Sequence, residues 1–497
     1  MYLPITAQEL GPAHSVDGRS RQQRLYELLR RAILDGRLTE GETLPSTRQF
    51  ADSLKIARNS VIFAYEQLKS EGFLVINKKV TQIAVLQNHS PKLATKDRAA
   101  ILPRLSKRGK SISTQAESIQ YYLPFAPGTP DVEHFPFNQW AKCLQYAWKT
   151  VGAQHLSYSF SGGEQKLKES IAHYLRHNRG LNCSPQQILI TGGAQMAIDF
   201  CGQVLADLGE KVWIENPGYF FARKSLETSG LSIIPVNIDS QGMLPNPTLW
   251  EKETPRLIFV TPSHQYPLGS VMSLQRRLEL LKGAKKHRAW IIEDDYDNEF
   301  NYLDSAITPL QELDPRAPVI YLGTFSKSLY PSLKIGYIVL PKWAIDSLAP
   351  KYTHLYRQSQ GIEQLALARF IESGELDRHI KGSREIYRKR KEILNRELIK
   401  EFNSQAFVLG GNAGTHLTLV FNQKIDDKSW AKKANALGIA VKPLSDFYIH
   451  SNKAKLFGLV IGYGSTNERM IPRLVRQLKD IVVLNDVDQR RDDKNPQ

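Results

Sequence analysis

A lysine that follows an apolar strand is the first residue whose position suggests chemistry. Lys327 ends residues 323–327 (GTFSK), which come directly after the apolar run 319–322. In α/β domains, ligands bind at the carboxyl ends of strands. A lysine shielded from water there can form a Schiff base with an aldehyde, although a structural or phosphate-binding role would also suit it. The neighbouring motifs must decide between these roles.

Two polar residues end another apolar run. Asp294 and Tyr296 follow residues 290–292 and, being two positions apart, are expected to project to the same face. A carboxylate beside a pyridinium nitrogen lets pyridoxal 5′-phosphate (PLP) act as an electron sink, and a phenol can bond its ring oxygen. A plain strand-end cap is the alternative role for Asp294.

A glycine turn and an aromatic residue add two further features. Residues 191–195 (TGGAQ) lie between a strand and a helix, where backbone N–H groups can hold a phosphate. Tyr219, after residues 216–218 (NPG), offers an aromatic face. An ordinary turn and a core tyrosine would explain each feature alone, but their joint order along the chain favours a PLP site.

The order of these motifs resembles that of fold-type I aminotransferases over about residues 121–480. The resemblance implies that Lys327 is the catalytic lysine that forms the aldimine with PLP, that Asp294 pairs with the pyridine nitrogen and that Tyr296 bonds the ring oxygen. Tyr158 matches a tyrosine that reaches the phosphate of the neighbouring subunit, which implies a homodimer. The other cofactor-binding residues that it implies are Gly193, Ala194, Gln195, Thr324, Ser326 and Lys334 around the phosphate and Tyr219 on the ring.

Three segments qualify this resemblance. Residues 263–269 (SHQYPLG) resemble the loop that touches the ring oxygen. Lys334 stands where these proteins usually have an arginine on the phosphate, and a lysine lacks the bidentate fork. Residues 458–463 (GLVIGY) contain no arginine, whereas aminotransferases bind the substrate carboxylate with one late in the chain. We therefore expect effector sensing rather than efficient turnover of an ordinary α-amino acid.

The N-terminal region shows the pattern of a winged helix-turn-helix. Apolar spacing predicts helices over residues 21–35, 46–54 and 58–71, followed by a hairpin of residues 73–76 and 82–85. The last of these helices would enter the major groove of double-stranded DNA.

This geometry yields candidate DNA contacts. Arg58, Asn59 and Ser60 would face base edges. Arg48 would contact phosphate or base, and Lys78 and Lys79, at the hairpin tip, would contact phosphates. Residues 1–90 carry 12 basic against 9 acidic side chains, so a small helical domain with solvated arginines is the alternative that charge alone leaves open.

Several segments of this region resemble the GntR family of bacterial regulators: residues 33–38 (ILDGRL), 41–48 (GETLPSTR), 57–61 (ARNSV), 64–68 (AYEQL) and 71–72 (EG). The hairpin tip lacks the glycines that this family usually carries. A GntR-like head joined to an aminotransferase-like body is the arrangement of the MocR (GabR-type) subfamily. This resemblance implies a dimeric, PLP-dependent transcription factor that binds operator DNA and responds to a small amine, an amino acid or PLP itself.

The predicted fold class is α/β, with a smaller C-terminal subdomain. We expect a winged helix-turn-helix domain over 19–86, a basic linker over 87–118 and an aminotransferase-like domain over 119–485, divided near residue 360 into a large and a small subdomain. The linker would serve as a solvated tether or, less simply, touch DNA. Five apolar runs predict buried parallel strands: residues 187–190, 211–214, 257–260, 290–292 and 319–322.

Composition excludes several classes of protein. The 497 residues carry a net charge of +16, which suits a polyanionic partner. The apolar runs are too short to span a bilayer, and no secretory signal pattern is present. The three cysteines are isolated, with no metal-binding spacing, so we expect a cytoplasmic protein without a metal site.

Three functions fit these observations. The first is a regulator that senses its effector through Lys327. The second is an active PLP-dependent aminotransferase that also binds DNA, which the missing late arginine disfavours. The third is a DNA-binding protein whose large domain only dimerises, which the presence of Lys327, Asp294 and Tyr296 together disfavours.

Overall fold

The computed structural model describes residues 5–11, 20–77, 80–85, 105–111, 123–302, 307–357 and 360–492. The chain forms two compact units, Met1–Arg104 and Leu105–Gln497. Most of the predicted linker, residues 87–118, lies outside the described residues, although a short helix falls inside it at Lys107–Ser111. Within the described residues, no helix is long and apolar enough to cross a membrane.

The first unit combines four helices with a small sheet. Its elements are α1 Ala7–Leu10, α2 Arg21–Leu34, β1 Thr43–Leu44, α3 Thr47–Leu54, α4 Arg58–Ser70, β2 Leu74–Asn77 and β3 Val80–Ile83. The sheet order is β1-β3-β2, with antiparallel neighbours. All three predicted helices are present within two residues of their expected ends, while the hairpin strands are shifted toward the tip.

Two parts of this unit were not predicted. The strand β1 pairs with β3 because the extended residues before the α3 cap lie beside the hairpin, with Thr43 opposite Gln82. The helix α1 precedes the predicted start at residue 19, and Ile5 and Leu10 are buried in the same core as α2 and α4.

The second unit contains the remaining elements. They are α5 Lys107–Ser111, α6 Phe137–Thr150, α7 Gln165–Arg179, β4 Ile188–Thr191, α8 Ala194–Leu205, β5 Lys211–Asn216, α9 Phe220–Thr228, β6 Ser232–Asp239, β7 Gly242–Met243, α10 Pro247–Lys252, β8 Leu257–Val260, α11 Leu274–His287, β9 Trp290–Asp294, α12 Leu310–Leu313, β10 Val319–Thr324, β11 Gly336–Val339, α13 Ile345–Leu355, α14 Gly361–Glu372, α15 Glu375–Phe402, β12 Ala406–Gly410, β13 His416–Phe421, α16 Asp427–Ala436, β14 Lys442–Pro443, β15 Gly458–Gly462 and α17 Ile471–Asp492.

The large sheet has eight strands in the order β4-β11-β10-β9-β8-β5-β6-β7. Strands β10, β9, β8, β5 and β6 are parallel neighbours. Of these, β5, β8, β9 and β10 are the mostly buried apolar runs expected for parallel strands covered on both faces. Strand β11 was not predicted and runs antiparallel between β10 and β4. The five predicted strands therefore run in one direction, but β4 pairs with the reversed strand β11.

A second, four-stranded sheet in the order β12-β13-β15-β14 forms the smaller subdomain. The helices α15 and α17 pack on it around a core that contains Tyr387, Leu398 and Tyr463. The predicted division near residue 360 is too early, because α14 packs against α6 and α7 in the core of the large subdomain. The change from one core to the other falls inside α15.

Candidate functional site

The loop after β10 places Lys327 in a confined position. Its Nζ donates a hydrogen bond to the carbonyl oxygen of Gly128 at 2.6 Å. Gly128 has a φ of +73°, and a Cβ there would lie 2.9 Å from Nζ, so the close approach depends on this glycine. Burial lowers the pKa of Lys327, while the charges of Asp297 and Asp294 oppose the shift. A lowered pKa favours the neutral amine, which is the nucleophilic form.

Asp294 ends β9 next to the strand that leads to Lys327. In the parallel register Asp294 lies opposite Leu322 of β10. Burial, and then the charges of Asp295 and Asp297, raise the pKa of Asp294 to about 7. Among the groups that the structure describes, none hydrogen-bonds the buried Oδ1. A buried acceptor without a partner fits a protonated ring nitrogen, the group that PLP would bring.

The adjacent carboxylate, Asp295, is engaged elsewhere. Its Oδ2 lies 2.6 Å from an Nη of Arg179 and also accepts a hydrogen bond from the hydroxyl of Tyr321. Both neighbouring acids keep a buried Oδ1 without a hydrogen-bond partner among the described groups, but Asp295 also forms a buried ion pair through its Oδ2.

Tyr296 lies just beyond the end of β9 and contacts His264, which in turn contacts Asp297; the sequence assigned neither of these two residues an individual role. Its hydroxyl oxygen is 3.0 Å from Nδ1 of His264, and the same nitrogen is 3.0 Å from Oδ2 of Asp297. The rings of Tyr296 and His264 are stacked at an interplanar angle of 28°. His264 belongs to residues 263–269, so the resemblance of that loop was the available signal.

His264 and Asp297 also form a cluster with His416 whose possible ligand atoms lie within 4.8 Å of one another. Nε2 of His416 lies 3.0 Å from the carbonyl oxygen of Pro267. Burial lowers the pKa of His416 to about 4, so its ring is neutral and donates this hydrogen bond. These contacts connect the cluster to the loop 263–269, while the buried Nε2 of His264 has no hydrogen-bond partner among the described groups.

The glycine turn before α8 provides an open helix N-terminus. Gly193 has a φ of +96°, and no side chain in the described part of the chain caps α8. Such a terminus presents N–H groups to an anion. The first residue of α8, Ala194, is partly buried, and Gln195 is exposed.

The ends of β10 and β11 converge on the same turn. Gly336 of β11 pairs with Thr324 on one side and with Thr191 on the other. The hydroxyl oxygen of Thr324 accepts a hydrogen bond from the backbone N–H of Ser326 at 3.2 Å. Lys334, two residues before Gly336, is exposed and has a φ of +47°. The structure thus gathers Thr324 and Ser326 near the turn and places Lys334 at its outer edge.

The two predicted tyrosines lie in different surroundings. Tyr219 is the N-cap residue of α9, and its ring is perpendicular to that of Tyr266 at a centroid distance of 6.0 Å. Tyr266 in turn contacts Tyr296, so Tyr219 belongs to the aromatic group around the site. Tyr158 is 75% exposed, and the guanidinium of Arg357 lies over its ring.

The candidate DNA-binding residues lie at the junction of α3 and α4. Ser46 caps α3 together with Gln49, and Lys55 adopts a left-handed conformation with φ +51° that ends this helix. Arg48, Arg58 and Asn59 are exposed, and Ser60 is partly buried. Lys78 and Lys79 lie outside the described residues.

Arg58 is oriented by the neighbouring helix. Its Nε donates to the hydroxyl oxygen of Thr47 at 3.2 Å, and no side chain among the described residues caps α4. The hydroxyl of buried Tyr65 donates to the carbonyl oxygen of Pro45, which ties α4 to the start of α3. The two helix N-termini therefore form one exposed basic edge, as expected for a groove-binding motif.

Comparison with known proteins gives both regions a family. Residues 122–474 match the model of aminotransferase class I and II, and residues 21–81 match that of the bacterial regulatory proteins of the gntR family. The chain is 33% identical over 92% of both chains to the probable rhizopine catabolism regulatory protein MocR of Rhizobium meliloti. It is 30% identical to the pyridoxine biosynthesis transcriptional regulator PdxR of Corynebacterium glutamicum, over 93% of this chain and 95% of that one.

A solved structure supports the fold of the larger unit. The α-aminoadipate aminotransferase LysN of Thermus thermophilus, complexed with N-(5′-phosphopyridoxyl)-L-leucine, superposes with a TM-score of 0.68. It is 25% identical and covers 76% of this chain and 98% of its own. The second unit therefore has the fold-type I aminotransferase architecture and binds PLP. With its N-terminal helix-turn-helix and PLP-binding body, the chain belongs to the MocR-type subfamily of GntR transcriptional regulators.

Proposed function

We propose that this regulator detects a small amine, an amino acid or PLP itself at Lys327 and converts that event into a change in its binding of operator DNA. One observation carries the proposal. Oδ1 of Asp294, which has no hydrogen-bond partner among the described groups, stands on the strand beside the one that leads to the confined amine of Lys327. Bound PLP supplies an aldehyde that reacts reversibly with primary amines.

The residues of this chain would divide the work as follows. Lys327, whose pKa is lowered by burial, would hold its amine against the carbonyl oxygen of Gly128. Asp294 binds the protonated ring nitrogen, and Tyr296, positioned by His264 and Asp297, hydrogen-bonds the ring oxygen.

The phosphate end follows from the geometry of the turn before α8. The N–H groups of Gly193, Ala194 and Gln195, with Thr324 and Ser326, would hold the phosphate, and Lys334 would add charge from the edge. Tyr219 would stack on the ring.

The opposite end of the chain would read DNA. Arg58, Asn59 and Ser60 would contact base edges and Arg48 a phosphate or base. Since the cell's DNA is its partner, we propose that the protein acts in the cytoplasm.

We also propose a homodimer. Leu156, Tyr158 and Phe160 are 60–75% exposed in one stretch of chain, an unusual density of apolar surface for a monomer. Trp148 and Phe137 on α6 are also exposed. Tyr158 would reach the phosphate bound by the partner subunit.

Turnover as an aminotransferase is the second candidate, since Lys327, Asp294 and Tyr296 are all present. Against it, β15 is wholly apolar and supplies no arginine for a substrate carboxylate. Conversion of the bound cofactor to its amine form by an amino acid, measured in a single turnover, would favour this second function.

The decisive experiment is a near-visible absorption titration with PLP and then with amines. Wild-type protein and the exposed-lysine control Lys342→Ala should show a cofactor band that one class of amine shifts. Lys327→Ala should lack the band yet keep the far-ultraviolet circular dichroism spectrum of wild type. Its affinity for DNA should not change when the amine is added. Absence of a band in wild type, or an unchanged amine response in Lys327→Ala, would contradict the proposal.

A further inference from the structure

One face of the small sheet lies against the loop 263–269. Val460 of β15 is fully buried and packs with Leu444 and Phe447 in a cluster that also contacts Tyr266 and Leu268. Thr418 of β13 donates a hydrogen bond to the carbonyl oxygen of Pro267 at 2.7 Å. Because Tyr266 also contacts Tyr219 and Tyr296, this face of the sheet borders the site around Lys327.

A lysine lies on this sheet directly opposite Val460. Lys442 of β14 pairs with Val460 in the antiparallel register. Residues that are directly opposite in such a pair project to the same face. The side chain of Lys442 therefore leaves the sheet on the side that borders the site.

The ammonium group of Lys442 lies near an aromatic ring. Nζ of Lys442 lies 5.8 Å from the ring centroid of Phe221, whose ring is 5.9 Å from that of Tyr219. Lys442 is also near enough to Lys327 for its charge to add to the effect of burial in lowering the pKa of Lys327. The cation thus stands on the Tyr219 side of the site.

Two hydrogen bonds donated by backbone N–H groups hold this part of the small subdomain against the large one. The N–H of Gly218 donates to the carbonyl oxygen of Phe447, and the N–H of Ile449 donates to Oδ1 of Asn216, both at 3.0 Å. Both contacts join the segment after β14 to the turn before α9. The position of Lys442 relative to Tyr219 is therefore set by direct contacts rather than by a long connection.

Several buried guanidinium groups of this unit have structural roles. Arg179 is paired with Asp295, and Arg390 with Asp131 at 2.8 Å. Arg277 donates to the carbonyl oxygens of Met272, Pro262 and Thr308. If any of these guanidinium groups turned toward a ligand, its buried acceptors would lose their hydrogen bonds. These arginines are therefore poor candidates for binding the effector.

We propose that Lys442 binds a carboxylate of the effector, so the effector is an amine that also carries an acid group rather than a simple alkylamine. This inference rests on the proposed sensing at Lys327 and specifies its ligand. A lysine offers a point charge on a flexible stem, which can reach a carboxylate at more than one distance from the amine.

The test compares amino acids with matched amines on the PLP-loaded full chain. Glycine, 3-aminopropanoate, 4-aminobutanoate and 5-aminopentanoate are titrated beside n-alkylamines of the same carbon number, and Kd is read from the shift of the cofactor band. For at least one chain length, wild type should prefer the amino acid by about tenfold, the value of one charge-assisted hydrogen bond.

The variants separate Lys442 from general charge effects. In Lys442→Met the affinities for the amino acid and the matched alkylamine should become about equal, while the affinity for the alkylamine stays unchanged. Lys442→Arg should retain most of the preference for the amino acid. Lys432→Met removes the same charge from an exposed position on α16 and should behave as wild type. Melting temperature and the cofactor band check that each variant is folded.

The outcomes distinguish this inference from the proposed function. Equal affinity for amines and amino acids in wild type, or an unchanged preference in Lys442→Met, overturns the role of Lys442 while sensing at Lys327 stands. Loss of the cofactor band in Lys442→Met would mean that Lys442 contacts PLP instead, which also overturns it. If no amine or amino acid shifts the band, the proposed sensing itself fails.

Discussion

Buried acids are concentrated around Asp294. Burial raises the pKa of Glu215, Glu293 and Asp294 to about 7 and that of Glu299 to about 8. Glu215 accepts a hydrogen bond from the hydroxyl of Thr261, and Glu293 accepts from backbone N–H groups at the start of α12. Oδ1 of Asp294 and Oε2 of Glu299, by contrast, have no hydrogen-bond partner among the described groups, and of these two acids Asp294 lies on the strand beside the one that leads to Lys327.

Protonation of Asp294 should therefore be visible in the pH dependence of stability. Between pH 4 and 7 the folded protein without PLP holds a proton on Asp294 that the unfolded chain, with an ordinary pKa, releases. Raising the pH then favours unfolding, by at most about 1.4 kcal/mol per pH unit for one proton. We expect Asp294→Asn, which cannot ionise, to lose less stability than wild type from pH 4.5 to 7 in denaturant titrations.

PLP supplies the control for this prediction. A bound pyridinium nitrogen favours the carboxylate, so added PLP should shrink the difference between wild type and Asp294→Asn. Glu293→Gln should also flatten the pH dependence, but PLP should leave its effect unchanged, because its partners are backbone groups. Parallel stability curves for wild type and Asp294→Asn would show that Asp294 is ionised throughout.

At the level of elements, the pair α3 and α4 positions the candidate DNA contacts. Arg58→Ala should weaken binding to a DNA site selected from a random-sequence library by about 10- to 100-fold, as expected for loss of a bidentate base contact. Binding to unrelated DNA should change much less, because phosphate contacts elsewhere remain. The cofactor band should stay intact, since Arg58 lies in the other compact unit.

Lys69→Ala provides the matched control for Arg58→Ala. Lys69 is exposed in the last turn of the same helix, α4. Its removal changes the net charge equally, so fluorescence anisotropy at several salt concentrations should show only a small loss of affinity. An equal loss in both variants would indicate a general charge effect, and loss of the cofactor band in Arg58→Ala would contradict the separation of the two units.

At the level of the whole molecule, the proposed dimer makes the site a shared structure. If Tyr158 completes the partner's phosphate site, Tyr158→Ala and Lys327→Ala subunits should complement each other. A mixed dimer would contain one site with both native residues and one with neither. We expect mixing to restore tight PLP binding in about half of the sites of each mixed dimer, measured by the cofactor band at low PLP concentration.

Two measurements guard this prediction. Light scattering should give twice the 56.4 kDa of one chain for wild type and both variants. Subunits prevented from exchanging by chemical cross-linking before mixing should show no recovery. A failure to recover binding despite confirmed exchange would place Tyr158 in the site of its own chain, or outside it.

Much of this architecture follows from the sequence because its signals are local. Apolar spacing determines α2, α3 and α4, with serine caps at the first two of these helices, and short apolar runs followed by polar loops locate the strand ends that carry Asp294 and Lys327. Strand β11 was missed because the sequence of a short apolar segment does not show in which direction a strand runs or with which strands it pairs. The end of the large subdomain was placed too early because α14 and α15 form a nearly continuous helical pattern.

The contacts that tune the site were decided only by the tertiary structure. Nothing in the sequence relates Lys442 to Val460, His264 to Asp297 or Gly128 to Lys327, which are 18, 33 and 199 residues apart. Periodicity tells which face of an element is buried, but strand register and loop packing select the partner across that face. The sequence by itself determined a GntR-type head, a PLP-type body and the residues at its strand ends, while the fold decided which charges and rings surround them.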